Sequence, residues 1–173
     1  MISKNKIEEY LSKKDWNDYS WMKNISHKEI DEMFIKSNNI KTDLFFHQKV
    51  GAIISEIEDN FFFTYDMATG KSLMMLDILQ KKSKSWGKAL VLSPNVTTVS
   101  SFADEVKKHS YFNYIELVGT KEERLHLLKQ DADIYILNYT GLLILTTETK
   151  DNKWIIDKKA LKSFSDNFDF IIY

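Results

Sequence analysis

The chain has 173 residues, which suits one domain or one domain with an appendage. Its composition, 43% hydrophobic and 28% charged with one proline and five glycines, excludes a linker-rich or disordered chain. The absence of cysteine excludes disulfides and thiolate metal sites, and no apolar run approaches the roughly 18 residues of a membrane span. The net charge of −1 neither favours nor excludes a nucleic-acid partner. We expect a cytoplasmic protein with no membrane partner.

Residues 1–41 are predicted to form a helical N-terminal extension of two or three short helices, because apolar residues recur there at helical spacing. Ser26 stands three residues before Glu29, which is the pattern of a helix N-cap with an acid at its third position. Trp16 and Trp21 are interpreted as packing anchors in preference to a ligand cage.

From residue 42 the pattern changes to alternating strands and helices. Short apolar runs predict strands at 61–65, 89–92, 114–118, 133–137 and 168–173. Amphipathic patterns predict helices at 45–57, 71–82, 97–109, 121–129 and 158–164. Strands buried on both faces and alternating with helices of this length predict an α/β domain over 42–173, with a parallel sheet and helices on both faces.

The first strand of this domain runs into a short loop that suits phosphate. Residues 66–72 read Asp-Met-Ala-Thr-Gly-Lys-Ser and are followed by an apolar helix. A strand, a tight loop and Gly-Lys-Ser at the start of a helix place backbone N–H groups and a helix N-terminus around a phosphate chain. Tyr65 occupies the first glycine position of the strict pattern, so a turn in which Gly70 only relieves backbone strain is the alternative.

This loop resembles motif I of superfamily-2 helicases and translocases of the Swi/Snf-like branch, usually Asp-Met-Gly-x-Gly-Lys-Thr, which also lacks the first glycine. The resemblance implies a RecA-like first lobe that binds ATP and Mg²⁺. Lys71 would reach the β- and γ-phosphates, and the Ser72 hydroxyl would ligate Mg²⁺, which makes these two the catalytic candidates. The loop residues that would surround the nucleotide are Met67, Ala68, Thr69 and Gly70. Ala68 replaces a glycine of the pattern, and its methyl group should narrow the freedom of the loop.

About twenty residues before the loop, Leu-Phe-Phe-His-Gln at 44–48 resembles the Q motif of the same family. The resemblance implies that Gln48 reads adenine, and a glutamine amide can pair with N6 and N7 of that base. A surface or capping role for the His-Gln pair is the alternative.

Three later segments fall in the order of the family's nucleic-acid contacts. Residues 89–95 resemble motif Ia, 118–121 resemble motif Ib, and 136–142 resemble the segment after the fourth strand, although Asn138 and Thr140 depart from the usual Ser/Thr-Tyr-Glu. Hydroxyls and helix N-termini bind phosphate well, and capping by Asn95 or Thr97 could coexist with that role. The resemblance implies DNA-backbone contacts at Pro94, Asn95, Thr97, Gly119, Thr120, Asn138 and Tyr139.

The last predicted strand, 168–173, resembles the one that carries motif II, which the family completes with Asp-Glu. Asp169 lies inside the strand and is not expected to replace that pair, and the sequence ends at Tyr173. We therefore expect an incomplete ATP-binding first lobe of an ATP-dependent DNA helicase or translocase, unable to hydrolyse ATP by itself and partnered by a second RecA-like lobe in its parent protein. We also expect the strand at 168–173 to end close to Ser72.

Two rival interpretations stay open. One is a free-standing, non-catalytic regulatory module that binds nucleotide or DNA. The other, less favoured, is a small P-loop kinase, which needs several cationic side chains around its phosphates, whereas Arg124 is the only arginine in the sequence.

Overall fold

The computed structural model describes residues 26–57, 64–82, 87–150 and 153–172. The chain divides into two compact units, Met1–Lys82 and Ser83–Tyr173. The predicted helices before residue 26, with Trp16 and Trp21, lie outside the described residues, as do 61–63 of the first predicted strand. The boundary predicted between residues 41 and 42 stays a prediction.

The described part of the first unit contains the helices α1 (His27–Met33), α2 (Phe46–Ile57) and α3 (Lys71–Lys82). The predicted N-cap of α1 is confirmed as a reciprocal capping box. The Glu29 N–H donates to the Ser26 hydroxyl oxygen over 3.2 Å, and the Ser26 N–H donates to a Glu29 carboxylate oxygen over 2.9 Å. This pairing satisfies two N–H groups that the first turn of a helix otherwise leaves without partners.

Helix α3 is anchored through its buried face. Met74, Leu76 and Leu79 are fully buried, in agreement with the predicted apolar helix. The fully buried Asp77 accepts a hydrogen bond from the Ser37 N–H over 3.1 Å, and its second oxygen lies 3.1 Å from the Lys81 ammonium. A buried carboxylate without a partner is costly, so this network fixes the helix that begins at the phosphate loop.

Thr64 and Tyr65, the last two residues of the strand predicted at 61–65, have no regular secondary structure. The Tyr65 carbonyl accepts from the Lys71 ammonium over 2.9 Å, and the Tyr65 hydroxyl donates to the His47 carbonyl over 3.0 Å. The backbone carbonyl and the hydroxyl of Tyr65 therefore bond to Lys71 and to helix α2.

The second unit contains a parallel sheet flanked by helices. Its elements in chain order are β1 (Ala89–Ser93), α4 (Val96–His109), β2 (Tyr114–Glu116), α5 (Lys121–Leu127), β3 (Ile134–Asn138), α6 (Tyr139–Thr146), β4 (Thr147–Lys150), β5 (Lys153–Ile156), α7 (Lys158–Ser165) and β6 (Phe170–Ile172). Among the described residues the sheet has four strands in the order β2-β3-β1-β6, and every pair is parallel. The predicted parallel sheet is thereby confirmed.

The core of this unit forms where both faces of the central strands are covered. All five residues of β3 are buried, as expected for a strand between two layers of helices. One cluster joins Leu90 of β1 and Leu137 of β3 to Leu145 of α6 and Phe164 of α7. In the described part of the chain, no helix is both long enough and apolar enough to cross a membrane.

Several details differ from the predicted elements. Strand β2 ends at Glu116 and not at 118, because the Val118 N–H turns back to the Glu116 carbonyl over 3.0 Å. Helix α5 ends at Leu127 and not at 129. Helix α6 was not predicted, because its sequence is apolar on nearly every side and has no helical periodicity. The antiparallel hairpin β4–β5 was also missed, since Trp154, Ile155 and Ile156 are all exposed and show no alternation.

Candidate nucleotide and nucleic-acid sites

The loop that precedes α3 alternates the sign of its backbone φ angle. Ala68 has φ +61° and Gly70 has φ +73°, whereas the non-glycine residues between and before them, Thr69 and Met67, do not have positive φ. Alternation of residues of opposite hand is the backbone pattern of anion-binding nests, in which successive N–H groups point toward one concave side. The helix N-terminus of α3 follows directly, and its positive end favours the same kind of ligand.

Gly70 is required at its position for two reasons. A side chain at φ +73° is strained in an L-residue, and a Cβ atom built there would lie 2.2 Å from the Nε2 atom of Gln48. Gly70 therefore leaves room for the Gln48 amide in addition to relieving strain in the turn. Ala68, by contrast, carries its methyl group in the left-handed region, where a glycine would be unstrained.

Lys71 lies across the loop that it follows. Its ammonium group donates to the carbonyl oxygen of Tyr65 over 2.9 Å and to that of Asp66 over 2.8 Å. The Thr69 hydroxyl donates to the same Asp66 carbonyl over 2.9 Å. Asp66 thus supports the loop through its main chain. The ammonium would have to leave both carbonyls before it could reach a phosphate.

Gln48 fastens the loop to helix α2. Its amide oxygen accepts from the Phe45 N–H over 2.8 Å, and its NH₂ group donates to the carbonyls of Thr69 and Gly70 over 2.9 and 3.2 Å. One N–H donor on one side and two carbonyl acceptors on the other fix the orientation of this buried amide. The structure therefore brings Gln48 to the phosphate loop, and adenine recognition by it stays a prediction.

His47 and Tyr65 also hold the loop, although the sequence pattern predicted no separate role for either of them. A ring nitrogen of His47 lies 2.9 Å from the Thr69 carbonyl, and the two aromatic rings meet edge-on at 5.7 Å. Burial raises the pKa of the Tyr65 phenol, which keeps the hydroxyl protonated as the donor to the His47 carbonyl. In the sequence, two features pointed to these roles: a histidine stands directly before Gln48, and Tyr65 stands where a glycine is usual.

The remaining loop residues point outward or into the first helical turn. Met67 is 92% exposed, and Ser72 is half-buried as the second residue of α3. Within the described ranges, no group of three or more histidine, cysteine or carboxylate side chains is placed to hold a metal ion.

The second unit brings the predicted nucleic-acid contacts to one edge of its sheet. Strands β1, β2 and β3 are parallel neighbours, and Ser93 lies opposite Asn138 at their carboxyl ends. The segments that follow these strands therefore emerge at the same edge. They contain Pro94, Asn95, Thr97, Gly119, Thr120, Asn138 and Tyr139.

Three of these residues cap the helices that begin at this edge. Asn95 caps α4 and accepts from the Thr98 N–H over 2.9 Å, which confirms the capping role considered for it. Thr120 caps α5 and accepts from the Glu123 N–H over 3.2 Å, and Asn138 caps α6 and accepts from the Gly141 N–H over 3.2 Å. Asn138 is buried, and its amide oxygen is engaged within the protein.

The other predicted contacts are exposed. Pro94 and Thr97 flank the start of α4, and Tyr139, 43% exposed, opens α6. Glu123 places a carboxylate beside Thr120, and hydrogen bonds from the Thr120 N–H and hydroxyl lower its pKa below the ordinary glutamate value. The edge thus combines helix N-termini and neutral polar groups with Lys121 and with the carboxylates of Glu116, Glu122 and Glu123.

Asp169 lies at the opposite edge of this sheet. Its carboxylate accepts from the N–H groups of Gly87 and Lys88 over 2.8 and 3.2 Å, just before the amino ends of β6 and β1. This carboxylate fastens β6 to the segment before β1. Asp169 thus lies just before β6 and not inside the strand, as the prediction for 168–173 had it, because its carboxylate is used to bond the segment before β1.

Comparison with solved structures identifies the fold. The SWI2/SNF2 ATPase core of Sulfolobus solfataricus, solved in complex with dsDNA, matches with a TM-score of 0.55 and 22% identity over 64% of this chain and 24% of that one. The ATP-dependent Type ISP restriction-modification enzyme LlaBIII, bound to DNA, matches with a TM-score of 0.54 and 16% identity over 91% of this chain and 11% of that one. No family model and no curated protein matches the sequence.

These matches confirm the predicted resemblance at the level of the fold. The chain spans about a quarter of the archaeal ATPase core and about a tenth of the restriction enzyme. The parallel sheet and flanking helices of the second unit agree with a RecA-like α/β fold, which is the level at which the two solved structures match.

Proposed function

We propose that this chain is the ATP-binding first lobe of an ATP-dependent DNA helicase or translocase of the Swi/Snf-like branch. The observation that carries the proposal is the nest of alternating φ at 67–70, which leads directly into Lys71 and Ser72 at the start of α3. Loop and fold support each other, because the fold is shared with ATPase cores and the loop has the geometry that binds phosphate.

The residues of the loop fit ATP with Mg²⁺. The N–H groups around Gly70 and the N-terminus of α3 would hold the phosphates, Lys71 would neutralise their charge, and the Ser72 hydroxyl would ligate the metal ion. Gln48 is the candidate for adenine. Reaching these ligands requires Lys71 to leave the carbonyls of Tyr65 and Asp66, and Gln48 to leave those of Thr69 and Gly70.

Binding without turnover is the expectation for these residues by themselves. In this class of motor an Asp-Glu pair after a core strand holds Mg²⁺ and positions the attacking water, and arginines from a second lobe stabilise the γ-phosphate. In the part of the chain that the structure describes, no Asp-Glu pair follows a strand, and the only arginine of the sequence, Arg124, is buried in the second unit. A second RecA-like lobe is therefore proposed as the partner that completes the motor.

DNA is the proposed nucleic-acid partner, through the edge formed by the ends of β1, β2 and β3. The exposed residues Pro94, Thr97 and Tyr139 and the helix N-termini beside them would contact the sugar-phosphate backbone. We expect weak binding that falls as salt is raised and does not depend on base sequence.

Titration with a fluorescent ATP analogue and Mg²⁺ tests the nucleotide arm. We expect saturable binding that becomes at least about tenfold weaker in Lys71→Ala, since that change removes a charge-assisted contact to phosphate. Lys158→Ala, which removes an exposed lysine at the start of α7, is the matched control and should bind like the wild type. Equal affinity in Lys71→Ala and the wild type would contradict the proposed site.

A further inference from the structure

The only arginine of the sequence is buried, and no carboxylate of the residues that the structure describes forms an ion pair with it. Arg124 on α5 is 5% exposed. Its hydrogen-bond partners in the described part of the chain are the carbonyl oxygens of Leu117 and Gly119 and the amide oxygen of Asn138. Burial lowers the pKa of the guanidinium, which nevertheless stays charged at neutral pH. A buried cation held only by neutral oxygens costs stability, so stability alone does not explain why an arginine is buried here.

The guanidinium joins two segments of the predicted nucleic-acid edge. Its Nε atom donates to the Gly119 carbonyl over 2.8 Å, and one terminal nitrogen donates to the Leu117 carbonyl over 2.9 Å. The same terminal nitrogen lies 3.4 Å from the amide oxygen of Asn138. Leu117 and Gly119 follow β2 and Asn138 ends β3, so one planar group spans the ends of two neighbouring strands.

Gly141 leaves the space that the guanidinium occupies. A Cβ atom built on Gly141 would lie 1.8 Å from the terminal nitrogen of Arg124 and 2.7 Å from the Asn138 amide oxygen. Gly119 makes a second close approach, because it has φ +101° and a Cβ atom there would lie 2.3 Å from the Glu123 carboxylate. Both turns at this edge are therefore shaped around charged side chains.

The inward position of Asn138 leaves other residues exposed at the ends of β2 and β3. Because Asn138 faces inward to Arg124 and Gly141, the exposed groups at these two strand ends include Gly119 and Thr120 on one side and Tyr139 and Thr140 on the other. We propose that Arg124 is a positioning residue of the nucleic-acid edge, which holds the loop before α5 and the start of α6 in one arrangement so that both meet the same run of backbone phosphates. This inference rests on the proposed DNA binding.

Lysine cannot replace arginine in this role. A guanidinium offers donors in a rigid planar fork, whereas an ammonium is a point charge that cannot hold three oxygens in the same directions. Arg124→Lys keeps the charge and removes the fork. Gly141→Ala keeps Arg124 and displaces its guanidinium from the other side, which gives a second and independent perturbation.

The test is binding of a fluorescein-labelled DNA duplex, followed by anisotropy at several salt concentrations. Both variants should bind about tenfold more weakly than the wild type, with the slope of log K against log salt unchanged, because no phosphate contact of Arg124 itself is lost. Tyr139→Ala should weaken the wild type and add little in Arg124→Lys, because the two residues act together. Lys108→Ala, an exposed lysine near the far end of α4, controls for loss of a surface charge.

Three other results would contradict the positioning role of Arg124, and a fourth would contradict the proposed DNA partner. A salt slope reduced by about one in Arg124→Lys would mean that Arg124 contacts a phosphate directly, and the positioning role would be wrong. It would also be wrong if both variants fold and bind like the wild type, or if neither folds, which would make Arg124 a residue of the core. Failure of the wild type to bind duplex at low salt would instead remove the proposed DNA partner.

Discussion

Replacement of Gly70 by alanine perturbs the phosphate loop at its narrowest point. The new methyl group would have to adopt φ +73°, which costs an L-residue about 1–2 kcal/mol. It would also lie 2.2 Å from the Gln48 amide nitrogen, so that side chain would have to move away. The amide would then lose its bonds to the carbonyls of Thr69 and Gly70 inside a buried site, at a further cost of about 1–3 kcal/mol.

The two costs can be separated by a double-mutant cycle. Gly70→Ala should lower the free energy of unfolding by about 2–5 kcal/mol in the wild type, measured by urea denaturation and far-UV circular dichroism. In a Gln48→Ala background only the backbone strain remains, so the same change should cost about 1–2 kcal/mol. Gly87→Ala is the control, because its Cβ atom would lie 3.6 Å from Asp169 in ordinary contact and without positive φ. Equal costs in both backgrounds, or a cost for Gly70→Ala no larger than for Gly87→Ala, would refute the contact between Gln48 and the loop.

Three further predictions concern the left-handed Ala68, the buried Asp77–Lys81 pair and the Glu123 cap of α5. Ala68→Gly should raise the free energy of unfolding by roughly 0.5–1 kcal/mol, because the relief of left-handed strain exceeds the entropy that glycine loses; a decrease in urea denaturation would contradict the strain at φ +61°. Lys81→Met should cost about 3 kcal/mol by leaving the fully buried Asp77 without its cation, whereas Lys28→Met, which breaks an exposed pair with Glu32, should cost under about 0.5 kcal/mol; equal costs would show that the buried pair has no special weight. The lowered pKa of Glu123 means that its contribution to the cap of α5 is complete above the ordinary glutamate pKa and is lost as pH falls through the lowered value; the protection factors of the α5 amides, corrected for the intrinsic slowing of hydrogen exchange in acid, should therefore fall on acidification, and should respond much less in Glu123→Gln.

The elements of the sheet could be predicted because their burial is simple. Strands β1 and β3 are apolar at consecutive positions, since helices cover both faces, and such runs are visible without any partner. Helix α3 was predicted with its observed bounds, because glycine precedes it and its apolar residues recur every three or four positions. Helix α6 has no polar face to give it a period, so tertiary packing and the Asn138 cap define it.

The sequence pattern proposed which residues form the candidate site, but it could not predict their contacts. The order Gly-Lys-Ser after a strand indicated a phosphate loop, and the placement of Gln48 against that loop agrees with the spacing of the two segments. The bonds of Gln48 to two loop carbonyls depend on how α2 packs on α3, which no local pattern encodes. The role of Arg124 was missed for the same reason, because its partners lie in separate segments around residues 117–119 and 138.

A crystal structure of the chain with Mg²⁺ and a non-hydrolysable ATP analogue would show whether this loop binds ATP. We expect phosphate oxygens within hydrogen-bond distance of N–H groups in 68–72, with the Lys71 ammonium moved from the carbonyls of Tyr65 and Asp66 to the phosphates. We also expect the Ser72 hydroxyl to ligate the metal ion. A nucleotide bound elsewhere on the chain, or a Lys71 ammonium that keeps both carbonyls while nucleotide is bound, would contradict the assignment of this loop as the ATP site.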